Sequence, residues 1–149
     1  MERNKTDKRL LIISCSKRKK NGKKRAWDVY DGIVFRMLKK MEREVGLPKD
    51  LEMLILSAKY GIIRPDQLIE EYDECITQSK IKELKPYIEG QLSDYLNHQL
   101  PREIFCCLGK QYLQAIYDNL ESTEIAFSAA KGRIGEKLAT TRHWVLNEI

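Results

Sequence analysis

The sequence predicts a three-layer α/β sandwich, a mostly parallel sheet of about four strands with helices on both faces. Short apolar runs alternate with amphipathic stretches of helical spacing. Three of those runs stop at small residues, Cys15, Ser57 and Gly109, as buried parallel strands do where a sheet opens into a crevice. The 149 residues suffice for one such core and not comfortably for two, so residues 1–149 are expected to form one domain.

Residues 1–8 are polar and charged and read as a flexible lead. The first strand is Arg9 to Cys15, followed by a loop in which seven of the nine residues from Lys17 to Arg25 are basic. Ile33, Met37, Met41 and Val45, with Phe35 and Leu38, then mark an apolar helix face that ends at Gly46 and Pro48. The second strand, Leu51 to Ser57, repeats the design of the first, so the pair reads as a βαβ unit with parallel strands and a right-handed crossover. Ala58 to Ile76 lacks a clear period, is punctuated by Gly61 and Pro65, and reads as a functional loop. A helical region from about Ser79 to Gln99 follows, with Pro86 as a candidate division. The third strand is Glu103 to Leu108, and Tyr112, Leu113, Ile116, Tyr117 and Leu120 stripe the helix after it. A short fourth strand at Glu124 to Phe127, the loop SAAKGRIG and a last helix from about Gly135 to Asn147 complete the chain.

Composition narrows the function classes. No apolar run approaches the roughly 20 residues that cross a bilayer, and the N-terminal stretch lacks the apolar middle of a secretory signal, so a cytoplasmic protein is expected. The four cysteines, Cys15, Cys75, Cys106 and Cys107, form no CxxC pair and lie far from His98 and His143, which argues against a zinc site. Cys106 and Cys107 read as small buried hydrophobes. No cofactor or metal is implied. The net charge of +5 is modest, but its concentration after the first strand suits a phosphate-bearing partner, a nucleotide or nucleic acid. A protein partner or homo-oligomer stays open.

Candidate site residues cluster at the expected strand ends. In CSKRK, Cys15 is either a thiol activated by neighbouring cations or a small strand-end residue, while Ser16 and Lys19 suit anion contacts. The basic run lacks P-loop spacing. Trp27 and Tyr30 either stack on bases or anchor the loop to the core. In LSAKYG, Ser57 and Lys59 flank the second strand end, and Gly61 at positive φ would turn the chain sharply. Tyr60 there either stacks on a base, donates through its hydroxyl, or covers the sheet edge. Of the carboxylates Asp66, Glu70, Glu71 and Asp73, Asp73 is the candidate acid or base. Gly109 ends the third strand, and Gly132 with Arg133 precedes the last helix, whose N-terminus favours anions.

These motifs, CSKRK, AWDVY at Ala26 to Tyr30, LSAKYGIIRP at Leu56 to Pro65, Tyr72 with Asp73, GKQY at Gly109 to Tyr112 and GRIGEK at Gly132 to Lys137, resemble an uncharacterised family of small α/β domains over nearly the whole chain. A strand followed by CSxxK is also similar to the accessory domain of archaeal tRNA-guanine transglycosylase relatives and archaeosine synthase. That likeness implies nucleic acid modification or nucleobase handling, although the zinc-bearing transglycosylase barrel is absent from this sequence. The resulting expectation is an enzyme acting on a nucleotide or nucleic acid at an N-glycosidic bond. In it Lys19 and Lys59 hold phosphate, Tyr60 orients a base and Asp73 moves a proton. The alternative is a non-catalytic nucleic-acid-binding module built on the loop 17–25.

Overall fold

A computed structural model describes residues 6–15, 23–70 and 78–146. Its central sheet has five strands: β1 (Arg9–Ser14), β3 (Leu51–Ser57), β4 (Gly61–Ile63), β6 (Glu103–Cys107) and β7 (Ala126–Ala129), in the order β4-β3-β1-β6-β7. A separate ribbon joins β2 (Lys23–Arg25) to β5 (Leu68–Glu70). The helices are α1 (Ala26–Val29), α2 (Ile33–Glu44), α3 (Gln78–Gln99), α4 (Lys110–Ser122) and α5 (Ile134–Leu146).

Strands β3, β1, β6 and β7 run parallel, with Arg9 opposite both Leu51 and Glu103, and Glu103 opposite Ala126. Strand alternation makes the three layers. Leu11 and Ile13 of β1 face one core with Phe35, Leu38 and Met41 of α2 and Val145 of α5. Leu10 and Ile12 face the other, with Ile88, Leu92 and Leu96 of α3 and Ala115, Ile116 and Leu120 of α4. The chain steps from β1 to β3 in one direction through α2. It then crosses back to β6 and on to β7 through helices on the opposite face. That is what right-handed crossovers require when strand order reverses. The reversal falls between β1 and β6, which makes their carboxyl ends the topological switch point.

Three regions depart from the sequence expectation. The segment read as a loop after Ser57 holds β4, antiparallel to β3, and β5, which pairs with the end of the basic run. Three-residue strands are too short to show a period of two, so nothing in their side chains announced them. Pro86 does not divide α3; it is exposed, so the carbonyl that lacks its N–H partner can turn to water. The fourth strand lies two residues later than expected, because Glu124 and Ile125 belong to the turn before it.

The amino edge of the sheet is tied by a buried arginine. Arg9, 2% exposed, donates to Asp50 through Nε at 2.7 Å and to the carbonyls of Trp144 and Val145 at the end of α5. Its guanidinium also stacks 4.8 Å from the Trp144 ring centroid. Arg102 reaches the same carboxylate at 3.2 Å. Thr6 and Lys8 are bonded to Leu100 and Arg102 alongside. Among the described residues no helix is long and apolar enough to cross a membrane.

Candidate functional site

The carboxyl edge is built around the end of β1. The Cys15 amide donates to the carbonyl of Leu56 at 2.9 Å, which places Cys15 beside the end of β3. On its other side Cys15 Sγ lies 3.0 Å from Tyr112 Oη, in the first turn of α4. Cys15 therefore bridges the ends of β3 and β6 at the switch point, and its side chain is half-buried. Gly109, the N-cap of α4, is exposed beside it with ordinary extended backbone. Lys137 of α5 brings Nζ to 3.4 Å from the Leu108 carbonyl, adding a half-buried cation to this edge.

The LSAKYG turn is held from beneath. Ser57 is fully buried, and its Oγ accepts from the amides of Lys59 at 3.1 Å and Tyr60 at 3.0 Å. Tyr30 Oη donates to the same oxygen at 3.4 Å. Tyr30 is also fully buried, with its ring 5.3 Å from that of Phe35. Ser57 and Tyr30 thus set the turn from the core side and show no surface to solvent. Trp27 is nearly as buried, against Phe35 and under Lys39, so the two aromatics of AWDVY anchor the chain.

Above that support, Gly61 takes φ +75°, as the turn requires, and a Cβ there would run into the Gln91 amide oxygen. Lys59 is exposed, with Nζ 5.4 Å from the Tyr60 ring centroid. Tyr60 is half-buried, and its hydroxyl meets the backbone of Glu70, donating to the carbonyl at 3.3 Å and accepting from the amide at 3.4 Å. Its hydroxyl therefore fastens the β2–β5 ribbon to the LSAKYG turn.

The start of α5 is a different case. Gly132 has φ +91°, and a Cβ there would collide with the Glu136 carboxylate, whose Oε1 accepts from the Arg133 amide at 3.3 Å. The chain's own carboxylate thus sits at the anion position of this helix N-terminus, and Arg133 is exposed beside it. Ser128 lies on the outer edge of β7, lining a cavity of about 640 Å³ with Tyr117 and Lys131. Burial pushes the Cys106 thiol up to about 12 and raises that of Cys107, so both stay protonated. Ser16, Lys19 and Asp73 lie outside the described residues, as does Tyr72.

The structure thus brings Cys15, Ser57, Lys59, Tyr60 and Gly109 to one edge, with Tyr30 beneath them, and sets Gly132 and Arg133 at a self-capped helix start. Sequence reasoning reached Tyr112 only through the helix stripe and GKQY, and Lys137 only as one of the cations of KGRIGEK. Tyr112 stands three residues after the strand-ending Gly109, one helical turn into α4, and that offset was its available signal.

The fold and this edge define a doubly wound α/β domain with Cys15 and Tyr112 in contact at its switch point. The chain belongs to DUF6884, a family of unknown function, which matches residues 10–143. Among solved structures it is similar to AF0587, a protein of unknown function, at 10% identity and a TM-score of 0.61 over 92% of this chain. This chain spans 44% of that neighbour's length, and the likeness shows the fold alone. No curated protein matches the sequence. Neither comparison links the chain to tRNA-guanine transglycosylases.

Proposed function

We propose that the carboxyl edge binds a phosphate-bearing nucleotide or nucleic acid and acts on it as an enzyme, at the N-glycosidic bond of a nucleobase. The observation that carries this reading is the position of Cys15, where the basic run begins. It occupies the switch point of a parallel sheet, the place where such folds gather ligands. Lys59 and Lys19 supply charge for phosphate, and the Tyr60 ring, steadied by Glu70, offers a face for a base. Asp73 protonates the departing nucleobase as the C–N bond breaks and water, or an incoming base, takes the anomeric carbon. Cys15 and Tyr112 supply a thiol and a phenol joined by one hydrogen bond, whose acceptor lone pairs suit a sugar hydroxyl.

Assays of nucleobase release from nucleotides, single-stranded DNA and tRNA test the reading. Lys59→Ala is expected to raise KM, and Asp73→Asn to lower kcat by about 10²-fold. Full activity in both variants would overturn these roles. The binding-module alternative draws on one observation, that Lys24 and Arg25 stay exposed although the ribbon fixes their backbone against β5. It predicts binding without turnover, weakening steeply with salt and alike across sequences when the lysines of the run are replaced.

A further inference from the structure

Among the described residues, the outer edge of the sheet on the β3 side is covered along only half its length. β4 pairs with Ile55, Leu56 and Ser57, and the outward backbone of β4 is closed in turn by Gln91. The Gln91 side chain accepts from the Ile62 amide at 2.8 Å and donates to the Ile62 carbonyl at 3.3 Å. Beyond Ile63 the chain turns away at Arg64 and Pro65, where the Pro65 and Gln67 carbonyls accept from Trp27 and Ala26. Among the described residues, Leu51 to Leu54 have no strand on the side away from β1.

The direction of the unpaired groups follows from the bonds already made. Arg9 donates to the Asp50 carbonyl and Cys15 to that of Leu56, so even-numbered residues of β3 turn their backbone toward β1. Odd-numbered residues turn theirs outward. The Leu51 amide is taken by Pro48, which leaves the Met53 amide and the carbonyls of Leu51 and Met53 facing the open edge. A cavity of about 400 Å³ lies against this stretch, bounded by Leu51 to Leu54, Arg64, Pro65, Asp66, Tyr95 and Gln99. A second, of about 270 Å³, shares Leu54, Arg64 and Tyr95 with it.

We propose that this groove takes an extended peptide segment as an added strand beside residues 51–54 of β3. Charge complementarity specifies its side chains. Glu52 and Arg64 flank Tyr95, and among the described residues neither has an ion-pair partner. Side chains two apart on a strand share a face. The segment that fits therefore carries a basic and an acidic residue separated by one apolar residue, the base against Glu52 and the acid against Arg64. Main-chain bonds to Met53 give affinity and this charge pair gives register, the division of labour in strand addition. The groove lies at the amino half of β3, away from the carboxyl edge, so the proposal stands or falls independently of the nucleotide reading.

The probe is the peptide acetyl-Thr-Lys-Val-Glu-Val-Lys-Thr-amide, which presents the required pair in either strand direction. Titrated into the isotope-labelled full chain, it is expected to shift amide resonances at Leu51 to Leu54, Arg64 and Tyr95, and to slow exchange of the Met53 amide. N-methylation of its five central residues removes the strand donors in either direction and is expected to weaken binding at least tenfold. Glu52→Lys, at an exposed position, is expected to weaken the probe at least tenfold and to favour a peptide with glutamates in place of its lysines. No shifts at millimolar peptide, shifts centred elsewhere, or indifference to N-methylation would each overturn the proposal.

Discussion

Two side chains show how much a single residue decides here. Ser57 reads from the sequence as a strand-end hydroxyl open to a ligand, yet it is fully buried and gathers three donors, the amides of Lys59 and Tyr60 and the phenol of Tyr30. A hydroxyl two residues before a turn serves a ligand or the turn equally well, and only burial separates the two. Ser57→Ala is expected to cost about 2 kcal/mol, since it strands buried polar groups; a denaturant midpoint unchanged from the parent would show that the turn holds without it. Arg9 is the opposite case, a charge inside an apolar strand that nothing in the strand's pattern singles out. Hydrogen bonds from Arg9, with Arg102 adding to them, hold the Asp50 carboxyl below its ordinary value. Because the folded value is the lower one, the stability it contributes is complete above about pH 4 and is lost as pH falls through the folded value. Asp50→Asn is therefore expected to lower stability by about 1–2 kcal/mol at pH 7 and progressively less toward about pH 2. A constant difference across that range would exclude the linkage.

At the scale of elements, the long periodic pieces were legible and the short ones were not. Helix α2 runs Ile33–Glu44, as its apolar spacing predicts, and β3 falls on Leu51–Ser57 to the residue. β4 and β5 escaped because their three residues are positioned by partners distant in the chain, Ile55 to Ser57 for one and Lys23 to Arg25 for the other. Glycine punctuation led correctly to the turn at Gly61 but not to its cause, which includes a glutamine 30 residues further on that occupies the space a Cβ would need. That glutamine carries its own prediction. Gln91→Leu keeps the side-chain volume while removing both hydrogen bonds to Ile62, and should cost about 1–2 kcal/mol. Amide exchange at Ile62 is expected to accelerate more than at Ile55; equal acceleration at both would mean that Gln91 stabilises the molecule as a whole rather than this edge.

For the whole molecule, the alternation of strands and helices was enough for the layer architecture, because each apolar run has one way to be buried twice over. Strand order was not legible, and it matters most for the site. The sequence gathered the strand ends without saying which are neighbours, and it is the order, with its reversal between β1 and β6, that brings Tyr112 to Cys15. Nothing local to GKQY states that β6 lies beside β1. The same central position explains the division among the thiols. Cys15 emerges half-buried at the edge, while Cys106 and Cys107, on adjacent positions of an inner strand, point into opposite cores. Neither inner thiol can react without the layers separating on its side. In a Cys15→Ser, Cys75→Ser background, alkylation at pH 8 is then expected to run at least about 10³-fold slower than in denaturant, as a global stability of 5 kcal/mol or more implies. The two inner cysteines should label at the same rate, since both faces open in one cooperative event. A much faster Cys106 would show that α3 and α4 lift away while the α2 and α5 layer stays closed over Cys107.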